Sequence, residues 1–133
     1  MSVFEYNFEQ YKSLSPDLYR KEKYNLQVEL LKLQEDVIKK KRKIAICFEG
    51  RDTAGKSSTI NFFSEHLIPS NFNYVHLGIP TKKERKNWFE RYETYLPNKG
   101  QIVLFDRSWY TRALTEPTLG YCCLLYTSDA ADE

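Results

Sequence analysis

Two spacings of apolar residues alternate along the chain, one with the period of a helix and one with the short runs of buried strands. From Asp17 to about Lys40, Leu26, Leu30, Leu33 and Val37 fall on one helical face, which Leu31 and Ile38 widen. Ser15-Pro16 supplies the start, a serine cap with proline in the first turn. Three apolar runs predict strands: Lys43 to Glu49, Asn73 to Gly78, and Gln101 to Asp106, the last apolar until its final residue. Between the first two, Ser58 to Leu67 reads as a helix, which Pro69-Ser70-Asn71 ends. Thr81-Lys82-Lys83-Glu84 matches a capping box, so a second intervening helix is expected from near Lys82 to Tyr95 or Leu96, followed by a turn at Pro97 to Gly100. Met1 to Leu14 is polar and aromatic by turns and predicts an irregular arm, with Phe4, Tyr6, Phe8 and Tyr11 covering another surface.

Strands alternating with helices predict an α/β fold with a parallel sheet and right-handed crossovers. Ligands of such sheets bind beyond the C-terminal strand ends, where Gly50 and Asp106 both fall. A length of 133 residues suits one domain with a core. The net charge of +2 argues against nucleic-acid binding by charge alone. No apolar run reaches membrane-spanning length and no signal-peptide core opens the chain, so no membrane partner is expected. An odd count of 3 cysteines without paired spacing predicts a reducing, cytoplasmic setting.

The first strand and helix enclose Gly50-Arg51-Asp52-Thr53-Ala54-Gly55-Lys56-Ser57, which fits the phosphate-loop pattern G-x-x-x-x-G-K-[ST]. In this pattern the glycines bring backbone N–H groups up to phosphate oxygens and Lys56 adds a point charge. The Ser57 hydroxyl suits Mg²⁺, and the new helix aims its positive end at the same place. Ser58 continues the cradle. Asp106 ends a strand downstream, where a Mg²⁺-directed carboxylate belongs in nucleotide-binding proteins of this type; the alternative is a turn or cap residue. Asp52 is a carboxylate inside a phosphate cradle. It fits if Mg²⁺ lies between it and the phosphate, or if it meets an acceptor phosphate, and otherwise it only shapes the turn.

Arg107 and Arg112 suit phosphate through paired hydrogen bonds, although one of them would equally hold a structural carboxylate. Arg51, Arg85 and Arg91 are further candidates. Trp88, Phe89, Tyr92 and Tyr95 at helical spacing read as core rather than as a base-stacking platform. The run Lys39 to Lys43 reads as a solvated helix end complementing the dipole, in preference to a rim for a polyanion. Cys47 is expected in the buried strand, and His66 and His76 have no metal-like companions.

With these residues in view, the chain resembles the family-2 polyphosphate kinases from about Tyr24 through Cys122. The resemblance is carried by Leu33-Gln34-Glu35, Phe48 through Lys56, Glu84-Arg85, Trp88-Phe89, Arg91-Tyr92, and Phe105 through Ala113. It implies a three-layer phosphate-loop (P-loop) kinase core, cut short and preceded by the long N-terminal helix. It also implies Mg²⁺-dependent phosphoryl transfer between polyphosphate and nucleotides, by a homo-oligomeric enzyme. Lys56 and the loop amides would hold phosphate, Asp52 and Asp106 would serve metal and acceptor phosphate, and Arg107 and Arg112 would contact phosphates.

Ser57-Ser58 stands where the family often has two glycines. Past Cys122 the family continues into a basic lid and further strands, whereas residues 123–133 read as a tail translated from sequencing-adapter bases. Residues 1–122 are therefore expected to be the N-terminal part of a longer kinase domain. Two other readings remain: a nucleoside or nucleotide kinase using ATP, and a nucleotide-binding module without transfer.

Overall fold

The computed structural model describes residues 14–85, 87–118 and 120. The N-terminal aromatics at positions 4, 6, 8 and 11 and the tail beyond Cys122 lie outside them. Helix α1 spans Pro16–Lys39 and strand β1 Lys43–Phe48. Helix α2 covers Lys56–Ser64 and strand β2 Phe72–Val75, with a 3₁₀ turn at Pro69–Asn71 between them. Helix α3 is Glu90–Glu93, strand β3 is Gln101–Asp106, and a π-type turn at Thr111–Thr115 leads into the short helix α4 at Glu116–Thr118.

The sheet order is β1-β3-β2 and all pairing is parallel. Parallel neighbours require crossovers, and the segments that make them cover both faces of the sheet. Strand alternation assigns each residue to a face. Ile102 and Leu104 of β3 pack with Val37 of α1 and Ile60 of α2, joined by Ile44, Ile46 and Phe48 of β1. Val103 and Phe105 point the other way, to Val75, Tyr92 and Trp109. Helices on either side of one sheet make the three layers that the family resemblance implies. β3 is sealed, with Ile102 through Phe105 at 1% exposure or less, whereas β1 is half-exposed along the sheet edge.

The start of α1 is as read from the sequence: Ser15 Oγ accepts from Leu18 N at 3.2 Å and Pro16 occupies the first turn. Its basic end is exposed, with Lys40 and Arg42 beside Asp36, as a solvated helix terminus requires.

The buried face of α1 departs from expectation. Val37 is fully buried and Leu30 half-buried, but Leu26 is 65% exposed and Leu33 40%. The buried positions include Gln27 and Gln34. Gln34 Nε2 donates to Ile68 O at 3.0 Å, and Ile68 N donates to Gln34 Oε1 at 2.6 Å. Gln27 Nε2 donates to Phe62 O and to Glu65 Oε2. The buried Gln34 amide is tolerated because both its ends are satisfied, and it closes the backbone after α2 as a peptide group would. Gln34→Leu keeps the volume but strands the Ile68 N–H and C=O. We expect a loss of about 2–5 kcal/mol in stability, read by denaturant unfolding.

The helix expected from Lys82 to Tyr95 is mostly hydrogen-bonded turns, and only Glu90–Glu93 is regular. The capping box itself forms: Thr81 N and Oγ1 both donate to Glu84 Oε2. Beyond it the segment tightens. Tyr92 N, Tyr95 N and Leu96 N bond three residues back, a 3₁₀ pattern. Packing accounts for the change. Trp109 meets Phe89, Tyr92, Phe105 and Tyr110 in aromatic contacts, most of them edge-to-face, and these hold the segment against the sheet. Tyr92 thus packs against the core, as its spacing suggested, whereas Phe89 and Tyr95 are 39% and 46% exposed.

Candidate active site

The site forms where the C-terminal ends of the three strands meet the start of α2. β1 ends at Phe48, and Gly50 begins the loop. Gly55 caps α2 with φ +84°, a left-handed conformation suited to glycine, and no side chain caps the helix. The first N–H groups of α2 therefore keep their donors aimed outward. Lys56 Nζ folds back across the loop, donating to Gly50 O at 3.0 Å and Arg51 O at 2.7 Å.

β3 delivers Asp106 by alternation, since residues 102, 104 and 106 share the face that meets α2. Asp106 is 5% exposed, and its Oδ2 accepts from Ser57 Oγ at 2.9 Å. The same alternation brings two groups from β2 and its end. Tyr74 Oη donates to Asp106 Oδ2 at 3.1 Å, and His76 Nδ1 lies 3.6 Å from that oxygen. Burial, followed by the Asp106 hydrogen bond, pushes the Tyr74 phenol up, so it remains a donor.

Two non-glycine residues, Thr53 and Arg107, have φ +65°. Each costs about 1–3 kcal/mol, and such strain collects where function needs a fixed backbone. Arg107 N donates to Phe48 O at 3.0 Å, tying β3's exit to β1. The Arg107 guanidinium pairs with the Asp52 carboxylate, whose side chain is otherwise 91% exposed.

Together Asp52 through Ser58, His76, Asp106 and Arg107 line a depression of about 330 Å³. Of the residues singled out from the sequence, Asp52, Thr53, Ala54, Gly55, Lys56, Ser57, Ser58, Asp106 and Arg107 converge there. Gly50 and Arg51 stand behind the loop as acceptors for Lys56. Arg112 does not line the depression; its guanidinium pairs with Glu116 and its side chain is 11% exposed. Arg91 holds a neighbouring loop instead, donating to Leu77 O at 2.7 Å, and Arg85 is exposed outside the depression. Cys47 is half-buried, and desolvation pushes its thiol up, so it is neutral near pH 7.

Sequence reasoning passed over Tyr74 and His76. The available signal was position: both sit at a strand's C-terminal end with the same alternation as Asp106. Among the described residues no cluster of three or more His, Cys, Asp or Glu forms a ready-made metal cage. The oxygen donors present, Ser57 Oγ and the Asp106 carboxylate, suit a hard cation such as Mg²⁺ that retains waters and shares phosphate oxygens. No helix among the described residues is long and apolar enough to cross a membrane.

The family model described as Polyphosphate kinase 2 (PPK2) matches residues 13–129. The chain belongs to the polyphosphate kinase 2 family. A GDP-polyphosphate phosphotransferase of Mycolicibacterium smegmatis is 50% identical over 105 residues, covering 78% of this chain and 37% of the relative. An ADP-polyphosphate phosphotransferase of Pseudomonas aeruginosa is 44% identical over 110 residues, covering 82% and 36%. A crystal structure from Pseudomonas aeruginosa PA01 assigned to polyphosphate kinase 2 superposes with a TM-score of 0.75 at 31% identity, covering 90% of this chain and 26% of that one. The chain thus spans about a third of the length of the curated polyphosphate phosphotransferases it matches. The phosphate loop, the three parallel strands and Asp106 all fall inside the family match.

Proposed function

We propose that this chain is the N-terminal part of an enzyme that transfers phosphoryl groups between inorganic polyphosphate and a nucleoside mono- or diphosphate. The observation that carries the reading is the contact of the Ser57 hydroxyl with the Asp106 carboxylate beneath a phosphate loop, in a chain of this family. The names of the relatives supply the substrate classes.

In this reading the α2 amides and Lys56 hold the donor phosphates, with Lys56 exchanging its loop carbonyls for phosphate oxygens. Ser57 and Asp106 hold Mg²⁺, with Asp52 across the mouth. Bound Mg²⁺ supplies charge neutralisation at the phosphate oxygens. Arg107 leaves Asp52 to contact the transferring group, which frees Asp52 to face the acceptor phosphate or the metal. Arg112, paired with Glu116 of α4, stands outside the depression. Catalysis comes from position and charge, as expected for a loose transition state. The cysteine usage suits the cytoplasm, and the whole enzyme is taken to be a homo-oligomer.

Residues 1–122 are assigned to the kinase domain and 123–133 to a non-native tail. The family match runs to residue 129, so the coding sequence beyond Cys122 decides this boundary.

The test is to incubate the full-length enzyme with long-chain polyphosphate, Mg²⁺ and AMP, ADP or GDP, and to separate the nucleotides formed. The expected product is the next higher phosphate. Use of ATP alone, with nucleosides as acceptors, would make the protein a nucleoside kinase. Nucleotide binding without product would make it a binding module.

A further inference from the structure

We infer that Glu49 is a positioning residue for Arg107, a role that rests on the reading of Arg107 as a phosphate contact. Glu49 stands between the end of β1 and the first glycine of the loop. Its Oε1 accepts from Ser108 N at 2.8 Å and Ser108 Oγ at 2.6 Å, and its Oε2 accepts from Thr111 Oγ1 at 2.8 Å. Ser108 is fully buried.

Arg107 is therefore bracketed. Its own N–H is fixed on Phe48 O, and the next residue's N–H is fixed on the Glu49 carboxylate. Between these two anchors the backbone takes φ +65°, a conformation unfavourable to a non-glycine residue whose cost the two bonds offset. That turn sends the guanidinium back over the loop to Asp52. One carboxylate adjoining the phosphate loop thus sets the direction of the arginine that faces it. A misplacement of about 1 Å at such a group costs up to ~10²-fold in rate.

A merely structural glutamate would affect stability and rate independently of Arg107, whereas a positioning residue acts only through it. The experiment is a double-mutant cycle in the full-length enzyme. It compares kcat and the KM for polyphosphate in wild type, Glu49→Ala, Arg107→Ala and the double variant, each with its melting temperature. We expect Glu49→Ala to lower kcat by about 10–100-fold with KM changed by less than about threefold. In the Arg107→Ala background the same change should cost less than about threefold. Glu49→Gln should recover most of the rate, because its carbonyl oxygen still takes both Ser108 bonds.

Equal losses in both backgrounds, or a glutamine variant as poor as alanine, would overturn the inference. If Glu49→Ala melts below the assay temperature, Glu49→Leu replaces it in the cycle, since it keeps the bulk of the side chain and still removes the acceptor of Ser108 N. If the wild-type enzyme makes no product from polyphosphate, the proposed function fails by itself. The placement of Arg107 is then read directly from its side-chain Nε–H resonance in ¹⁵N-labelled protein, which should shift in Glu49→Ala and hold in Glu49→Gln; an unshifted resonance in Glu49→Ala overturns the role of Glu49.

Discussion

Lys56→Ala will lower the transfer rate of the full-length enzyme by about 10²–10³, and Asp106→Asn by a comparable factor. Lys56 Nζ already sits across the mouth of the loop, 2.7 Å from Arg51 O, so a phosphate oxygen needs only to replace a carbonyl as its partner. Removing the ammonium takes away a preorganised charge at the transferring group and leaves exposed carbonyls that water satisfies. The fold should survive, because the contact lies on the exposed loop and outside both apolar clusters. Asp106→Asn preserves shape and one oxygen acceptor for the Ser57 and Tyr74 hydroxyls while removing the negative charge that suits Mg²⁺. Steady-state rates at saturating polyphosphate, with melting curves as a control for folding, decide the matter. Rates within a few-fold of wild type for either variant would remove these residues from the site.

The second large effect concerns the 133-residue chain purified by itself. It will self-associate, bind dyes for exposed apolar surface, and show no transfer above background. Among the described residues β1 pairs only with β3, which leaves its other side as a row of unpaired N–H and C=O groups. Such an edge is a template for association. Ile44, Ile46 and Phe48 are only half-buried along it, and Tyr19, Leu26 and Leu33 form an exposed stripe on α1 at seven-residue intervals. At ~25 cal/mol per Å² of apolar surface left wet, a few hundred Å² removes much of a domain's typical ~5–15 kcal/mol. Light scattering coupled to size exclusion, together with the transfer assay, checks this. A monodisperse chain that melts cooperatively and turns over would overturn it.

Local rules carried the reading far where the deciding contacts are local. The Ser15 cap and Pro16 fix where α1 begins, and the apolar run ending in a carboxylate gives β3 with its observed ends. The loop and Asp106 were legible because motif and strand end coincide. The buried face of α1 was not, because a glutamine is an acceptable core residue only once Ile68's backbone is there to meet it. Arg91 and Arg112 looked like phosphate ligands by type. Tertiary placement gave Arg91 the carbonyl of Leu77, and Arg112 found Glu116 at a spacing of four, a pairing the sequence did offer. Glu49 and Ser108 meet across 59 positions, beyond the reach of any local rule.

The alternation of β3 has a genetic consequence. Residues 102, 104 and 106 face α2, while 103 and 105 face Trp109 and Tyr92. Deleting one codon within this strand would turn the remaining side chains over to the opposite faces, sending the carboxylate into the aromatic layer and Phe105 towards Ser57. Deleting two codons would restore the parity but shorten the reach to the loop. Substitution is therefore the main route by which this strand can vary, and a single-codon gap within it would mark a gene copy that has lost the Asp106 carboxylate from the candidate site.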